Sequence, residues 1–197
     1  MKPIAINIGC GRRRREGAIG IDRIPLSTVD VVADLEHGLP FLREDSVDVV
    51  YADSFLEHVE HFDGLMRDIH RVCKATAKIH VGVPHFSNPY YYSDSTHRRF
   101  FGLYTFDYFV PRGFQRMKRV VPDHYAGCQF EILSRSMSFY SPFKARRWVK
   151  ALLTKLVNVN RYTQEFYEEN FCWMVPCYML RFTLRPVKDS DLPLGAQ

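Results

Sequence analysis

Two glycines close an apolar run, Ile4-Ala5-Ile6-Asn7-Ile8-Gly9-Cys10-Gly11, and an aspartate closes the next one, Gly20-Ile21-Asp22. Glycine at a strand exit lets the backbone approach a ligand with no Cβ in the way. An acid at the tip of the neighbouring strand can accept hydrogen bonds from both hydroxyls of a ribose. Together these residues describe a pocket for an adenosine-bearing small molecule. A Gly-x-Gly also serves ordinary turns, so the assignment depends on what surrounds it.

Such a pocket needs strands whose ends lie side by side. Continuous apolar runs predict strands at Ile4–Ile8, Ala18–Ile21, Val29–Ala33, Val47–Ala52 and Ala77–Val83. Strands without polar alternation belong to a mostly parallel sheet buried on both faces. Leu65, Ile69, Val72 and Cys73 share one face of a predicted helix over Phe62–Lys74, which would cover that sheet. Beyond Pro84 the chain is crowded with aromatics and broken by prolines, which predicts a structured loop with a short helix near Tyr104–Phe109. Further strands are expected at Phe130–Phe139 and Cys177–Leu184, and a helix at Phe143–Val157. The expected organisation is one domain over 1–197, with 84–127 as an acceptor-side loop or lid and 141–176 as a helical insertion before the last strand.

Composition narrows the class. A chain of 197 residues with 46% apolar content can bury a substantial core. No apolar run approaches the roughly 18 residues of a membrane-spanning helix, and the N-terminus has no signal-peptide pattern. Five cysteines without a Cys-x-x-Cys pair read as reduced thiols of a cytoplasmic protein. The net charge of +5 favours anionic partners.

The ordered series resembles the class I S-adenosylmethionine-dependent methyltransferases, especially the small type 11 kind. The matching residues are Asn7 to Gly11, Gly20-Ile21-Asp22, Ala33-Asp34-Leu35-Glu36, Asp45 to Ala52, Phe55-Leu56-Glu57-His58-Val59, Ile69 to Lys74 and Ile79 to Pro84. The resemblance implies a Rossmann-like α/β sheet, mostly parallel with an antiparallel last strand, and S-adenosyl-L-methionine as cofactor. It implies that the backbone at Gly9 and Gly11 passes the methionine part and that Asp22 takes the ribose diol, with Asn7, Cys10 and Arg23 also at the cofactor. Asp34 and the Leu35 N–H would read the adenine, and Asp53, Ser54 and His58 would lie near the sulfonium. One departure stands out. Only Arg12-Arg13-Arg14-Arg15-Glu16-Gly17 separates Gly11 from Ala18, too few for the usual crossover helix. The first helix is therefore expected to shrink to a turn.

The acceptor side resembles methyltransferases of bacterial polysaccharide pathways, through Pro84-His85-Phe86-Ser87-Asn88 and Asp94-Ser95-Thr96-His97-Arg98-Arg99-Phe100. This resemblance makes His97 and His85 the candidate general bases, with Asp94 orienting His97. A metal set drawn from His80, His85, Asp94 and His97 is disfavoured, because His80 alternates to a strand face; no metal is expected. Phe143–Val157 carries five basic residues and no acid beside Trp148 and its leucines, so peripheral contact with an anionic inner membrane is a further option. The acceptor is expected to be a small molecule or glycan. The competing function is a non-catalytic cofactor-binding protein of the same fold; a nucleic-acid methyltransferase is disfavoured, because the fourth strand carries no Asn-Pro-Pro-Tyr or Asp-Pro-Pro-Tyr element.

Overall fold

The computed structural model describes residues 2–124 and 126–188; residue 1, position 125 and residues 189–197, part of the expected 1–197 domain, lie outside the described residues. Seven strands form one sheet: β1 (Ala5–Ile8), β2 (Ile19–Asp22), β3 (Val31–Val32), β4 (Val47–Asp53), β5 (Cys73–Pro84), β6 (Phe130–Ser138) and β7 (Met179–Pro186). Their order is β3-β2-β1-β4-β5-β7-β6. β3, β2, β1, β4 and β5 pair in parallel. β7 runs antiparallel to both β5 and β6. The chain therefore has the expected Rossmann-like α/β architecture with one reversed strand.

The strand order reverses at β1, so the ends of β1, β2, β3 and β4 open onto one crevice. Open α/β sheets bind ligands at such a point. Helix α1 (Phe62–Val72) covers the sheet, burying Phe62, Leu65, Met66, Ile69 and Val72. Phe62 packs edge-on against Phe101, Phe106 and Phe109, with centroids 5.6, 6.1 and 5.7 Å away. The core thus runs from the sheet into the aromatic segment after β5.

No helix stands between β1 and β2. Turns span this stretch, tied by Arg13 N–H to Cys10 C=O at 2.8 Å and Ala18 N–H to Arg15 C=O at 3.1 Å. The shortened first crossover is as expected. Residues between β5 and β6 form short 3-10 turns at Tyr91–Ser93, Thr105–Phe109 and Arg112–Phe114. Between β6 and β7 lie α2 (Arg147–Val157) and α3 (Arg161–Asn170), the latter inside the expected 141–176 insertion but not singled out as a separate helix. Asn160 opens α3 with a reciprocal cap: its side chain accepts from Thr163 N–H, and the Thr163 hydroxyl accepts from Asn160 N–H.

Candidate active site

At the crevice, β1 ends in Gly9 with φ of +59°. A Cβ there would sit 2.1 Å from a ring atom of Phe55. Both the left-handed backbone and the close approach require glycine. Ser54, leaving β4, also has positive φ, at 52°. Few side-chain-bearing residues adopt that region, and those that do concentrate at functional turns.

These two exits sit between two hollows. The first, of about 220 Å³, is lined by Gly9, Ser54, Asp22, Arg23, Asp34 and Leu35, with His58 and Thr96 on its wall. Asp22 is held by two backbone donors, Gly11 N–H at 2.8 Å and Ile24 N–H at 3.0 Å. Asp34 accepts from Glu36 N–H at 3.0 Å and caps the short turn Leu35–His37. Each carboxylate has lone pairs beyond those uses. The arrangement can therefore take several hydrogen-bond donors from a polar ligand along one wall.

The second hollow, of about 650 Å³, shares Gly9 and Ser54 and adds Asn7, Cys10, Gly11 and Asp53, with Arg12 to Arg15, Met179 and Arg181 around its mouth. Asn7 is buried and braces the loop: its Oδ1 accepts from Arg15 N–H at 2.8 Å, and its Nδ2 donates to Tyr51 C=O at 3.3 Å. Arg15 pairs with Asp53 at 2.5 Å, and Arg14 with Asp30 at 2.6 Å. The Cys10 thiol is buried, and burial, with the nearby Asp22 charge, pushes its pKa up. It is a packing group in a basic-rimmed hollow suited to anions.

The catalytic candidates fare unevenly. His85 does not line either hollow. It is fully buried, its Nδ1 accepts from Ser87 N–H at 3.0 Å, and its Nε2–H donates to Glu168 at 2.9 Å. With both nitrogens committed it fastens α3 to the end of β5 and is not the expected base. Asp94 does not orient His97. Its Oδ2 is 3.7 Å from His97 Nε2, too long for a hydrogen bond, while its Oδ1 takes the Thr96 N–H and hydroxyl at 2.9 and 2.6 Å. The Tyr91 carbonyl orients His97 instead, 2.8 Å from Nδ1.

His97 packs against His58 with ring centroids 4.8 Å apart. Beside them Glu57 is 1% exposed, and its Oε2 has no hydrogen-bond partner. Burial, reinforced by Asp94 and Asp53, raises its carboxyl to about 7. Burial and the neighbouring His97 lower His58. The disfavoured metal set does not assemble: His80 stacks on Tyr51 at 5.3 Å, away from His85 in its own buried network. Sequence reasoning passed over Thr96 and Phe55. Thr96 lies inside the Asp-x-x-His stretch, and its hydroxyl chemistry was the available signal; nothing in the sequence alone places Phe55 against Gly9.

Residues 8–81 match the family model described as a methyltransferase domain. The fold is similar to a SAM-dependent methyltransferase from Archaeoglobus fulgidus, at 16% identity and TM-score 0.58, covering 93% of this chain and 86% of that one. It is also similar to the YcgJ protein from Bacillus subtilis, at 12% identity and TM-score 0.56, covering 95% and 92%. A third is phosphoethanolamine N-methyltransferase 2 of Haemonchus contortus, solved in complex with S-adenosyl-L-methionine, at 13% identity and TM-score 0.54, covering 95% of this chain and 50% of that one. At such identities the likeness is one of fold. No curated protein sequence matches the chain. The resemblance to class I S-adenosylmethionine-dependent methyltransferases holds in the family match and in the fold.

Proposed function

We propose that this chain is an S-adenosylmethionine-dependent methyltransferase acting on a small-molecule or glycan acceptor. The observation that carries the reading is the convergence of Asp22 and Asp34 on one cavity beside Gly9. When bound, S-adenosylmethionine supplies a methyl carbon on a sulfonium, which an acceptor atom displaces in line. Everything else is positioning. Asp22, fixed by Gly11 and Ile24 N–H, accepts from the ribose hydroxyls. Asp34 accepts from the adenine amine, with Leu35 N–H beside it. Gly9 keeps a side chain out of the space the ligand needs, and the arginine-rimmed hollow takes the methionine carboxylate. Arg23, Asp53 and Ser54 complete the enclosure, with Asn7, Cys10 and Gly11 shaping the loop behind it. The wall of His58, Thr96 and His97 faces the acceptor, and a proton lost by the acceptor leaves on that side.

The test is calorimetric titration with S-adenosylmethionine and S-adenosylhomocysteine. We expect both to bind, and Asp22→Ala to weaken binding about 10–100-fold, as removal of hydrogen bonds to a charged group does. Binding of neither ligand overturns the reading.

A membrane contact belongs to the same proposal. Along 143–157, Phe143, Trp148, Leu152 and Leu156 are exposed, Trp148 by 71%. Lys144, Arg146, Arg147 and Lys155 are exposed among them, and no acid interrupts. Exposed aromatics beside uncompensated cations suit an anionic lipid surface, where lipid-linked glycans would be met. Among the described residues no helix is long and apolar enough to cross a membrane.

A further inference from the structure

Three side chains on the acceptor wall, Glu57, His58 and His97, each bring one potential ligand atom within 4.8 Å of the others. Their hydrogen bonds fix where the protons are. The Thr96 hydroxyl lies 2.6 Å from the Asp94 carboxylate, which only accepts, so the hydroxyl donates there. Its lone pair then receives Nδ1–H of His58 at 2.9 Å. The Tyr91 carbonyl also only accepts, so His97 Nδ1, 2.8 Å away, carries its hydrogen. Both neutral rings are left with Nε2 as a lone pair.

Glu57 adds a third acceptor, 1% exposed and with an unpartnered Oε2. Three potential ligand atoms thus lie together, beside a buried carboxyl oxygen that has no hydrogen-bond partner. A buried polar atom left unpaired costs about 1–3 kcal/mol, and a cation placed among the three removes that cost. Asp94, 3.7 Å from His97, adds negative charge at the edge of the cluster. Thr96 and the Tyr91 carbonyl act as the outer partners that commonly lock the rings of metal-binding histidines.

We propose that Glu57, His58 and His97 bind a first-row divalent transition cation such as zinc. Two imidazoles and one carboxylate suit that class and leave coordination positions open. His58 lines the cavity that Asp22 and Asp34 share, so the site borders the space assigned to the cofactor, on the wall proposed to face the acceptor. The binding stands alone; its role in the reaction rests on the methyl-transfer reading. There, an acceptor hydroxyl on the cation gives its proton to solvent water. The resulting oxyanion forms the carbon–oxygen bond as the carbon–sulfur bond breaks, leaving a neutral thioether.

The experiment uses the full chain stripped with a chelator and titrated with Co²⁺ as a spectroscopic probe, then with Zn²⁺ in competition. We expect one saturable equivalent with visible d–d absorption, displaced by Zn²⁺. Even outer partners of metal ligands contribute roughly 10–100-fold to affinity, so Glu57→Gln and His97→Asn should each weaken binding at least about 100-fold. Zn²⁺ should raise the Tm of the parent chain but not that of His97→Asn, whose cooperative melt shows it folded. Absence of saturable binding, or equal binding in both variants, overturns the site and leaves a proton shared by Glu57 and a histidine. Failure of the methyltransferase reading looks different: metal binds and S-adenosylmethionine does not. Metal-free His97→Asn should bind S-adenosylmethionine as the parent does.

Discussion

The two halves of this molecule are held by different means. Up to Pro84 the site residues stand at the ends of strands paired by parallel ladders. Between Pro84 and β6 the described residues form short turns and one isolated bridge, His85 with Phe101, and many of their ties are side chains reaching backbone. Tyr91 donates to Arg99 C=O at 2.7 Å, and Arg99 Nε donates to Val59 C=O at 3.0 Å. Gln115 Nε2 donates to Val110 and Val121 C=O at 3.0 and 2.9 Å, and its Oε1 accepts from Val121 N–H. A ladder spreads its energy over many backbone groups that no substitution removes. A region pinned by side chains can lose its shape through one residue. The first half is therefore held against single substitutions, and the segment after Pro84 is open to reshaping by point changes.

The sharpest way to break that contrast is the buried pair of the second half. Arg135 donates two bonds to Asp107 at 2.9 and 2.8 Å, and their side chains are 9% and 2% exposed. Burial raises the Asp107 carboxyl even against the Arg135 hydrogen bonds and charge. Arg135→Ala strands that group, and urea unfolding should show a loss of about 3–5 kcal/mol. A loss below 1 kcal/mol, on that same scale, would mean the second half does not hang on single side chains.

The first half has its own side-chain tie, and we expect a smaller effect there. Asp68 on α1 accepts from Leu39 N–H at 2.5 Å and from Arg71 at 3.0 Å. Burial raises its pKa, but these bonds outweigh burial and hold the carboxyl below its ordinary value. A carboxylate with a depressed folded pKa contributes stability above its unfolded pKa and loses it as pH falls through the folded one. Asp68→Asn should cost about 1–2 kcal/mol at neutral pH and should flatten the acid limb of stability, measured by denaturant midpoints between neutral and acidic pH. An unchanged acid limb would remove Asp68 from the account.

The smallest change belongs to neither half's interior. Trp148→Ala should move stability by less than about 0.5 kcal/mol, because the ring is 71% exposed. It should still reduce partition onto phosphatidylserine vesicles in flotation assays. Unchanged flotation would dissociate α2 from any lipid surface.

The same contrast explains what was legible in the sequence. Parallel strands read directly, because burial on both faces removes polar alternation. Acids near their tips then fall together by topology, and Asp22 and Asp34, which the family resemblance put at one ligand, line one cavity. Side-chain ties have no such signature. His85 looked available because its partner Glu168 lies 83 residues away, on a helix not singled out within the expected insertion. That helix hides because Arg161–Asn170 is mostly polar and buries only Gln164 and Tyr167. Asp94 and His97 sit three residues apart, yet a backbone carbonyl won the competition for the ring. Glu57 stood in plain view in a matching motif, but only the folded chain reveals its unpaired oxygen.

Where related architecture would set a rigid rod, residues 9–18 run as a short arginine-rich span between β1 and β2. Two exposed ion pairs, Arg14 with Asp30 and Arg15 with Asp53, fasten this span over the basic hollow. Exposed pairs of this sort contribute no more than about 1 kcal/mol each and weaken as ionic strength rises. With ion pairs in place of a helix, the hold on this rim of the hollow slackens as ionic strength rises.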